Sequence, residues 1–343
     1  MAEHTESQSG LIYVGLDEAG YGPMLGPLCV GMCAIRVRGW KVEGGSDTGR
    51  APDVWSMLAP AVAREPRAAK KGSVVINDSK VLKGSSASRP LYHLERGVLT
   101  TLGLGGNRVT SDDELLGALG CVLPHEAWYA GESAACPRDA DGDEIALSTN
   151  VVRAACERAG VEFLGLRVRI VGEREFNEGC ELRGGKGGVN LAAAGEHLRH
   201  VWESWGLEGG GMAGGIRVVM DRHGGRLRYG SFLESVTQTE TRTLEECAAF
   251  SRYMVEGASE EGVRRMTVLL TPEADGRHFP VALASMAAKL VREVTMARLN
   301  RYFGSRLAGL RPTAGYVQDA RRWLEDAGGV LTPDERRVMV RRW

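Results

Sequence analysis

A short apolar strand that runs straight into Asp17-Glu18-Ala19-Gly20-Tyr21-Gly22-Pro23-Met24-Leu25-Gly26-Pro27 leaves few options for how this chain begins. The run Leu11-Ile12-Tyr13-Val14 has the length and the β-branched and aromatic content of a buried strand. Two adjacent acids therefore stand where a strand gives way to a turn. Glycines at 20, 22 and 26 and prolines at 23 and 27 shape a tight turn with accessible backbone, which leads into a second apolar run from Leu28 to Ile35. Such a stretch is either an acidic hairpin turn or a place where a divalent cation sits and a ligand approaches glycine backbone. Acids elsewhere in the chain have to decide between the two.

The 343 residues suffice for one large core or two ordinary domains. A net charge of -1 gives no global attraction to nucleic acid and leaves room for a local basic patch. Residues 1–10 are polar and acidic, unlike a secretory signal, and no apolar run approaches the roughly 20 residues that span a bilayer. The expectation is a cytoplasmic protein with no membrane partner. Seven dispersed cysteines, at 29, 33, 121, 136, 156, 180 and 247, read as reduced thiols serving as small buried hydrophobes. Cys29 and Cys33 share a strand face but lack a second pair to complete a zinc site.

Further along, a helical piece is expected at Val54 to Ala63 and a strand at Ser73 to Ile76, which delivers Asn77-Asp78-Ser79-Lys80. Lys80 is suited to pairing with an acid or holding a phosphate. Helices are expected at 88–102, 149–159 and 190–205, with a strand at 162–171 and a flexible loop over 209–215. The acidic run from Asp139 to Glu144 reads as a solvated loop. A strand at Ile216 to Met220 then ends in Asp221-Arg222-His223-Gly224-Gly225, another apolar run closing on an aspartate. Gly230 to Val236 and Leu244 to Tyr253 read as helical or irregular, and Arg265 to Leu270 as a strand. The longest helical pattern, Val281 to Tyr302, carries Ser285, Lys289 and Glu293 on one stripe. Two more helices, near 314–327 and 333–342, give the end of the chain an arginine-rich surface. Strands interspersed with helices make this an α/β chain.

Asp17, Glu18, Asp221 and Glu293 are the hard oxygen ligands that Mg²⁺ or Mn²⁺ requires, coming from two strand ends and a helix. Four carboxylates can supply the ion pair of a two-metal phosphodiester hydrolysis. Sequence distance alone does not join them.

A family pattern does. Asp17-Glu18-Ala19-Gly20-Tyr21-Gly22-Pro23 with Gly26-Pro27, then Asn77-Asp78-Ser79-Lys80, Asp221, and Ala284-Ser285, Ala288-Lys289 and Arg292-Glu293 occur in the order seen in type 2 ribonucleases H. The chain resembles a divergent member of this ribonuclease HII family. The resemblance implies an RNase H-like mixed sheet flanked by helices with a C-terminal helical portion. The core would span 11–303, with insertions near 38–70, 104–147 and 230–262, and 304–343 would form a substrate-contacting helical region. It further implies a metal-dependent endonuclease, using Mg²⁺ or Mn²⁺ and two ions, that cuts RNA/DNA hybrids or ribonucleotide-containing duplexes. Asp17, Glu18 and Asp221 would be metal ligands, with Glu293 where the family has an aspartate.

By the same resemblance Gly20, Tyr21, Gly22, Asn77, Ser79, Lys80, Arg222, His223, Ser285, Lys289 and Tyr316 would face the nucleic acid. The pattern also departs from the family. Gly20-Tyr21-Gly22 replaces a Gly-Arg-Gly whose backbone senses the ribose 2′-hydroxyl, and Arg222-His223 follows Asp221 where glycine is usual. Asp275 stands in reserve for the metal site, although Asp275-Gly276-Arg277 reads more simply as a turn. The departures at Tyr21 and Glu293 keep two alternatives open: a nucleic-acid-binding homologue that does not cleave, and a nuclease redirected to structured DNA.

Overall fold

The computed structural model describes residues 10–40, 51–83, 88–211, 215–222 and 226–342, without the side chains of Lys80 and Lys83. Among the described residues, nine strands run in chain order: β1 Gly10–Ala19, β2 Leu28–Arg38, β3 Val62–Ala63, β4 Val74–Val75, β5 Val161–Val171, β6 Ile216–Met220, β7 Thr241–Glu246, β8 Ser251–Ser259 and β9 Gly262–Leu270. The helices are α1 Val54–Leu58, α2 Ser79–Lys83, α3 Tyr92–Leu104, α4 Asp112–Ala118, α5 Gly142–Ala159, α6 Glu173–Arg183, α7 Lys186–Gly211, α8 Gly230–Thr237, α9 Phe279–Arg306, α10 Val317–Asp326 and α11 Pro333–Met339.

Seven strands form one mixed sheet in the order β5-β2-β1-β6-β9-β8-β7. β1 pairs antiparallel with β2 and parallel with β6, and β6 pairs parallel with β9. Helices cover both faces, which is the RNase H-like α/β architecture that the family pattern implies.

Side-chain alternation along β1 assigns each face a core. Leu11, Tyr13 and Ala19 pack with α9, whereas Ile12, Val14 and Leu16 pack with α7 and α8. α9 comes unusually close to the sheet. A Cβ on Gly15 would lie 2.1 Å from the Val281 nitrogen, and one on Gly31 would lie 2.2 Å from the Ala284 oxygen. Ala282, Ala284, Ala287 and Ala288 supply small buried side chains at this contact. A third core joins Leu25 and Phe303 to Trp323 of α10, Met339 of α11, and Trp128 and Tyr129 from the region expected as an insertion.

Three local expectations are corrected. Leu244 to Tyr253 is not helical but turns from β7 into β8, where Ser251, Tyr253 and Val255 are buried at every second position. Glu245, Glu246, Ala248 and Ala249 carry helix propensity there, and pairing with β9 overrides it. The helix begun at Val54 stops at Leu58, just before Ala59-Pro60. Gly209 and Gly210 belong to the last turn of α7, since Cβ atoms there would lie 2.0 Å from the Arg265 oxygen and 1.8 Å from the Val263 oxygen. Glycine marks a close approach of helix to strand at that point. All seven cysteines are free thiols, five of them buried. Among the described residues, no helix is long and apolar enough to cross a membrane.

The contact at Gly15 has a measurable consequence. Gly15→Ala is expected to lower stability by about 3 kcal/mol or more in urea unfolding, because the backbone of α9 has to move. Gly22→Ala, which meets nothing within 4 Å, should stay within about 1 kcal/mol of wild type. Equal stability of the two variants would remove α9 from its place on Gly15.

Candidate active site

The parallel register brings the acids together. Leu16 stands opposite Met220, so the next residues along the two strands, Asp17 and Asp221, are neighbours at the carboxyl ends of β1 and β6. Met220 stands opposite Leu270 of β9, and the chain beyond Leu270 folds back over this edge. Thr271 N–H donates to Met220 O at 3.1 Å, and Ala274 N–H to Asp221 Oδ1 at 2.6 Å. Asp275 is thereby carried into the group and lies buried. Crevices at the carboxyl ends of sheet strands are where α/β proteins place their ligands.

Asp17 projects to the α9 face, where Ser285 hydrogen-bonds its carboxyl. Glu18, one residue on, projects to the opposite face. Burial, the charge of Glu18, and the charges of Asp275 and Asp221 push Asp17 well above the usual carboxylate range, with the Ser285 bond opposing them. An all-carboxylate donor set under mutual repulsion fits a hard divalent cation by its chemistry. Among the described residues, no three His, Cys, Asp or Glu side chains are arranged as a ready-made metal shell.

Glu293 pairs within its own helix. It forms a 2.6 Å ion pair with Lys289, the next position up its own stripe of α9. Together with Ser79, Lys289 and Tyr316 it lines a cavity of about 260 Å³ that His93 and Arg138 also border. The reserve candidate Asp275 thus stands with Asp17 and Asp221, and its turn is what delivers it. The signal was legible: Asp275-Gly276 follows the apolar end of β9 as Asp221 follows that of β6.

Arg222 donates to the carbonyls of Cys247 and Ala248 and to Ser251 Oγ, so it braces the turn between β7 and β8. Asn77 is spent locally, on Arg64 O at 2.9 Å and Asp78 N–H at 2.8 Å. His223 and the side chain of Lys80 lie outside the described residues.

The turn after β1 is gripped from every side. Gly20 and Gly26 have φ of 88° and 85°, conformations in which other residues are strained. A Cβ on Gly20 would lie 2.7 Å from Arg292 Nε, and one on Gly26 would lie 2.2 Å from Met296 Sδ. Met24 and Leu25 donate to Gly315 O, and Arg292 donates to Ala314 O at 2.9 Å beneath the ring of Tyr316. Gly22 is exposed, and a Cβ added there would meet nothing within 4 Å. Lys186, at the start of α7, sits 4.7 Å from the Tyr21 ring centroid. The buried Glu173 accepts from Gly26 N–H at 3.2 Å and from the Tyr129 hydroxyl at 2.8 Å. Sequence reasoning missed Glu173, and it noted Arg341 only as one of several C-terminal basic residues. Nothing local distinguishes either from a surface charge.

No protein-family model matches this chain, and no curated protein does. Solved structures to which it is similar include ribonuclease HII from Archaeoglobus fulgidus, solved in a complex with PCNA, at 16% identity and a TM-score of 0.41 over 97% of this chain and 95% of that one. Ribonuclease H2 from Pyrococcus horikoshii is 15% identical, with a TM-score of 0.39 over 97% and 93%. Bst-RNase HIII in complex with Mn²⁺ is 13% identical, with a TM-score of 0.37 over 99% and 69%. At these scores the likeness adds nothing to what the strand order and register already show.

Glu173 makes the turn sensitive to pH. Burial pushes its carboxyl from an ordinary 4.5 to about 7, so the folded chain holds a proton there that the unfolded chain has released. This contribution to stability is fully present below pH 4.5 and is lost as pH rises through about 7. The loss is on the order of 3 kcal/mol. Urea unfolding at pH 5 and pH 8 should show wild type losing more stability than Glu173→Gln by that amount. Identical pH dependence in the two proteins would place the Glu173 proton in solvent.

Proposed function

We propose that this protein is a divalent-metal-dependent endonuclease that hydrolyses phosphodiester bonds in RNA/DNA hybrids or at ribonucleotides in duplex DNA. The observation that carries the reading is the register that sets Asp17 beside Asp221, with Asp275 folded in from the end of β9. The resemblance of the Asp17 to Pro27 stretch to type 2 ribonucleases H supplies the substrate class.

Asp17, Glu18, Asp221 and Asp275 would hold two Mg²⁺ or Mn²⁺ ions, and Asp275 takes the place that the sequence pattern offered to Glu293. When bound, such ions supply a water of lowered pKa and stabilise the charge on the leaving 3′ oxygen. Water attacks the phosphate and the ends left are a 3′-hydroxyl and a 5′-phosphate. Ser285 fixes the orientation of Asp17 through its hydrogen bond. The open backbone around Gly22 meets the sugar of the cleaved strand, and the cavity lined by Ser79, Lys289 and Tyr316 takes the flanking nucleic acid. Tyr316, half-exposed above the Arg292 guanidinium, offers a ring on which a sugar or base can stack.

Incubation with matched duplexes holding no ribonucleotide, one ribonucleotide or an RNA tract, in Mg²⁺ or Mn²⁺, is expected to give cuts only in the latter two. Asp17→Asn and Asp275→Asn should each lower kcat at least about a hundredfold, and Glu293→Gln less than about tenfold. Equal cleavage of all-DNA duplex would point to a nuclease redirected to DNA. Binding without cleavage, unchanged in Asp17→Asn, would leave a binding protein. A large loss in Glu293→Gln beside an active Asp275→Asn would reverse the assignment of the fourth carboxylate.

A further inference from the structure

The last residues of the chain reach back to the turn that follows Asp17 and Glu18. Beyond α11 the chain is pinned to α6, where Asn177 Nδ2 donates to Val338 O at 3.3 Å and to Val340 O at 3.0 Å, and Arg342 N–H donates to Asn177 Oδ1 at 3.1 Å. Arg341 N–H donates to Met24 O at 2.9 Å. Arg341 is buried, with 5% of the residue exposed, and its guanidinium stacks 3.6 Å from the centroid of the Phe176 ring. Nη1 donates to Gly20 O at 2.5 Å and Gly26 O at 3.4 Å, and Nη2 donates to Tyr21 O at 3.1 Å.

Burying a guanidinium is costly unless its donors are met. Here Nη1 and Nη2 are met by the consecutive Gly20 and Tyr21 carbonyls, which fixes two peptide planes at once, while the buried Nε has no partner. In a trans peptide the N–H points opposite to the C=O of the same unit. With the Gly20 and Tyr21 carbonyls drawn to Arg341, the Tyr21 and Gly22 N–H groups point away from it. Gly22 itself is exposed, and a Cβ added there would meet nothing within 4 Å. Two successive N–H groups aimed outward form a concavity that accepts an anionic or hydroxyl oxygen.

We propose that Arg341 is a positioning residue that holds the Tyr21 and Gly22 N–H groups toward an oxygen of the nucleic-acid backbone, and so sets the preference for ribonucleotide at this turn. This rests on the nuclease reading above. The C-terminal tail is thus part of the site, although it touches neither the acids nor the reacting phosphate. Lysine at this position keeps the charge but, as a single point donor, cannot hold two peptide planes.

Arg341→Ala and Arg341→Lys test it in the full chain, with thermal unfolding run beside to confirm folding. KM for the duplex with one ribonucleotide should rise about tenfold or more in Arg341→Ala while kcat stays within about threefold, and Arg341→Lys should recover only part of the loss. A tail that merely stabilised the fold would lower the active fraction with KM unchanged. Hydrogen exchange over residues 19–27 should quicken in both variants, and this readout needs no activity. Unchanged KM in Arg341→Ala, full recovery in Arg341→Lys, or unaltered exchange overturns the proposal. If Arg341→Ala does not fold, Arg341→Lys carries the same comparison. Absence of cleavage by the wild type defeats the nuclease reading instead, and exchange still decides the role of Arg341.

Discussion

The structure depends on one contact: the backbone of α9 resting on the backbone of β1 and β2 where Gly15 and Gly31 leave no side chain in the way. Gly31 is the β2 residue paired with Asp17, so the helix is seated within one residue pair of the acids. That closeness lets Ser285, a short side chain, reach the Asp17 carboxyl. Any residue larger than glycine at either position would lift α9 away and leave Ser285 short of its partner. The alanines of α9 belong to the same constraint, since bulk on the helix would have the same effect as bulk on the sheet.

The same helix then reaches past the sheet. Arg292, two turns beyond Ser285, lies against Gly20, and Met296, one turn further, lies against Gly26. Thus α9 sets both the α9-facing acid and the inner wall of the turn that follows it. The rest of its packing comes from three distant parts of the chain: Glu173 at the start of α6, the Thr313–Tyr316 segment, and Arg341. Residues 104–147 are tied into this assembly too. Arg298 of α9 is buried and pairs with Asp112 at 2.7 Å while donating to Tyr129 O, and the Tyr129 hydroxyl in turn holds Glu173. A region that resembles nothing by sequence is therefore joined, through side chains, to the most recognisable stretch.

How much of this was legible in the sequence follows from the range of the forces involved. Strands ending in acids showed themselves because burial of an apolar run and its stop are local, and β1 and β6 were read directly. Their pairing was not local. Asp17 and Asp221 become neighbours only through the register of a parallel pair more than two hundred residues apart, which the family pattern supplied and spacing did not. The helical stripe of Ser285, Lys289 and Glu293 was correct as a stripe and misleading as a site. Ser285 bonds the Asp17 carboxyl, whereas Glu293, two turns on, pairs with Lys289. Glycines misled in the opposite sense: Gly209 and Gly210 looked like a loop because sequence shows their freedom and hides what they press against. Likewise β7 and β8 were obscured by residues of helical propensity, and only the pairing with β9 decides them.

The electrostatics of the turn after β1 unite these parts. On its approach side stand Asp17 and Glu18, with Asp221 and Asp275 close enough to raise the Asp17 carboxyl. On its inner side stand two buried guanidinium groups, Arg292 and Arg341, both bonded to main-chain carbonyls. Where Arg341 draws the Gly20 and Tyr21 carbonyls toward it, the amide hydrogens of the same peptide units turn away, so this cation is relayed as a weaker positive pole on the far side of the turn. The turn thus presents amide donors next to a cluster of acids. Tyr21 fits this division. An arginine there would add a further charge, whereas the tyrosine ring packs toward the α7 core with Lys186 over its face, and Arg341 is held beneath the turn by Phe176.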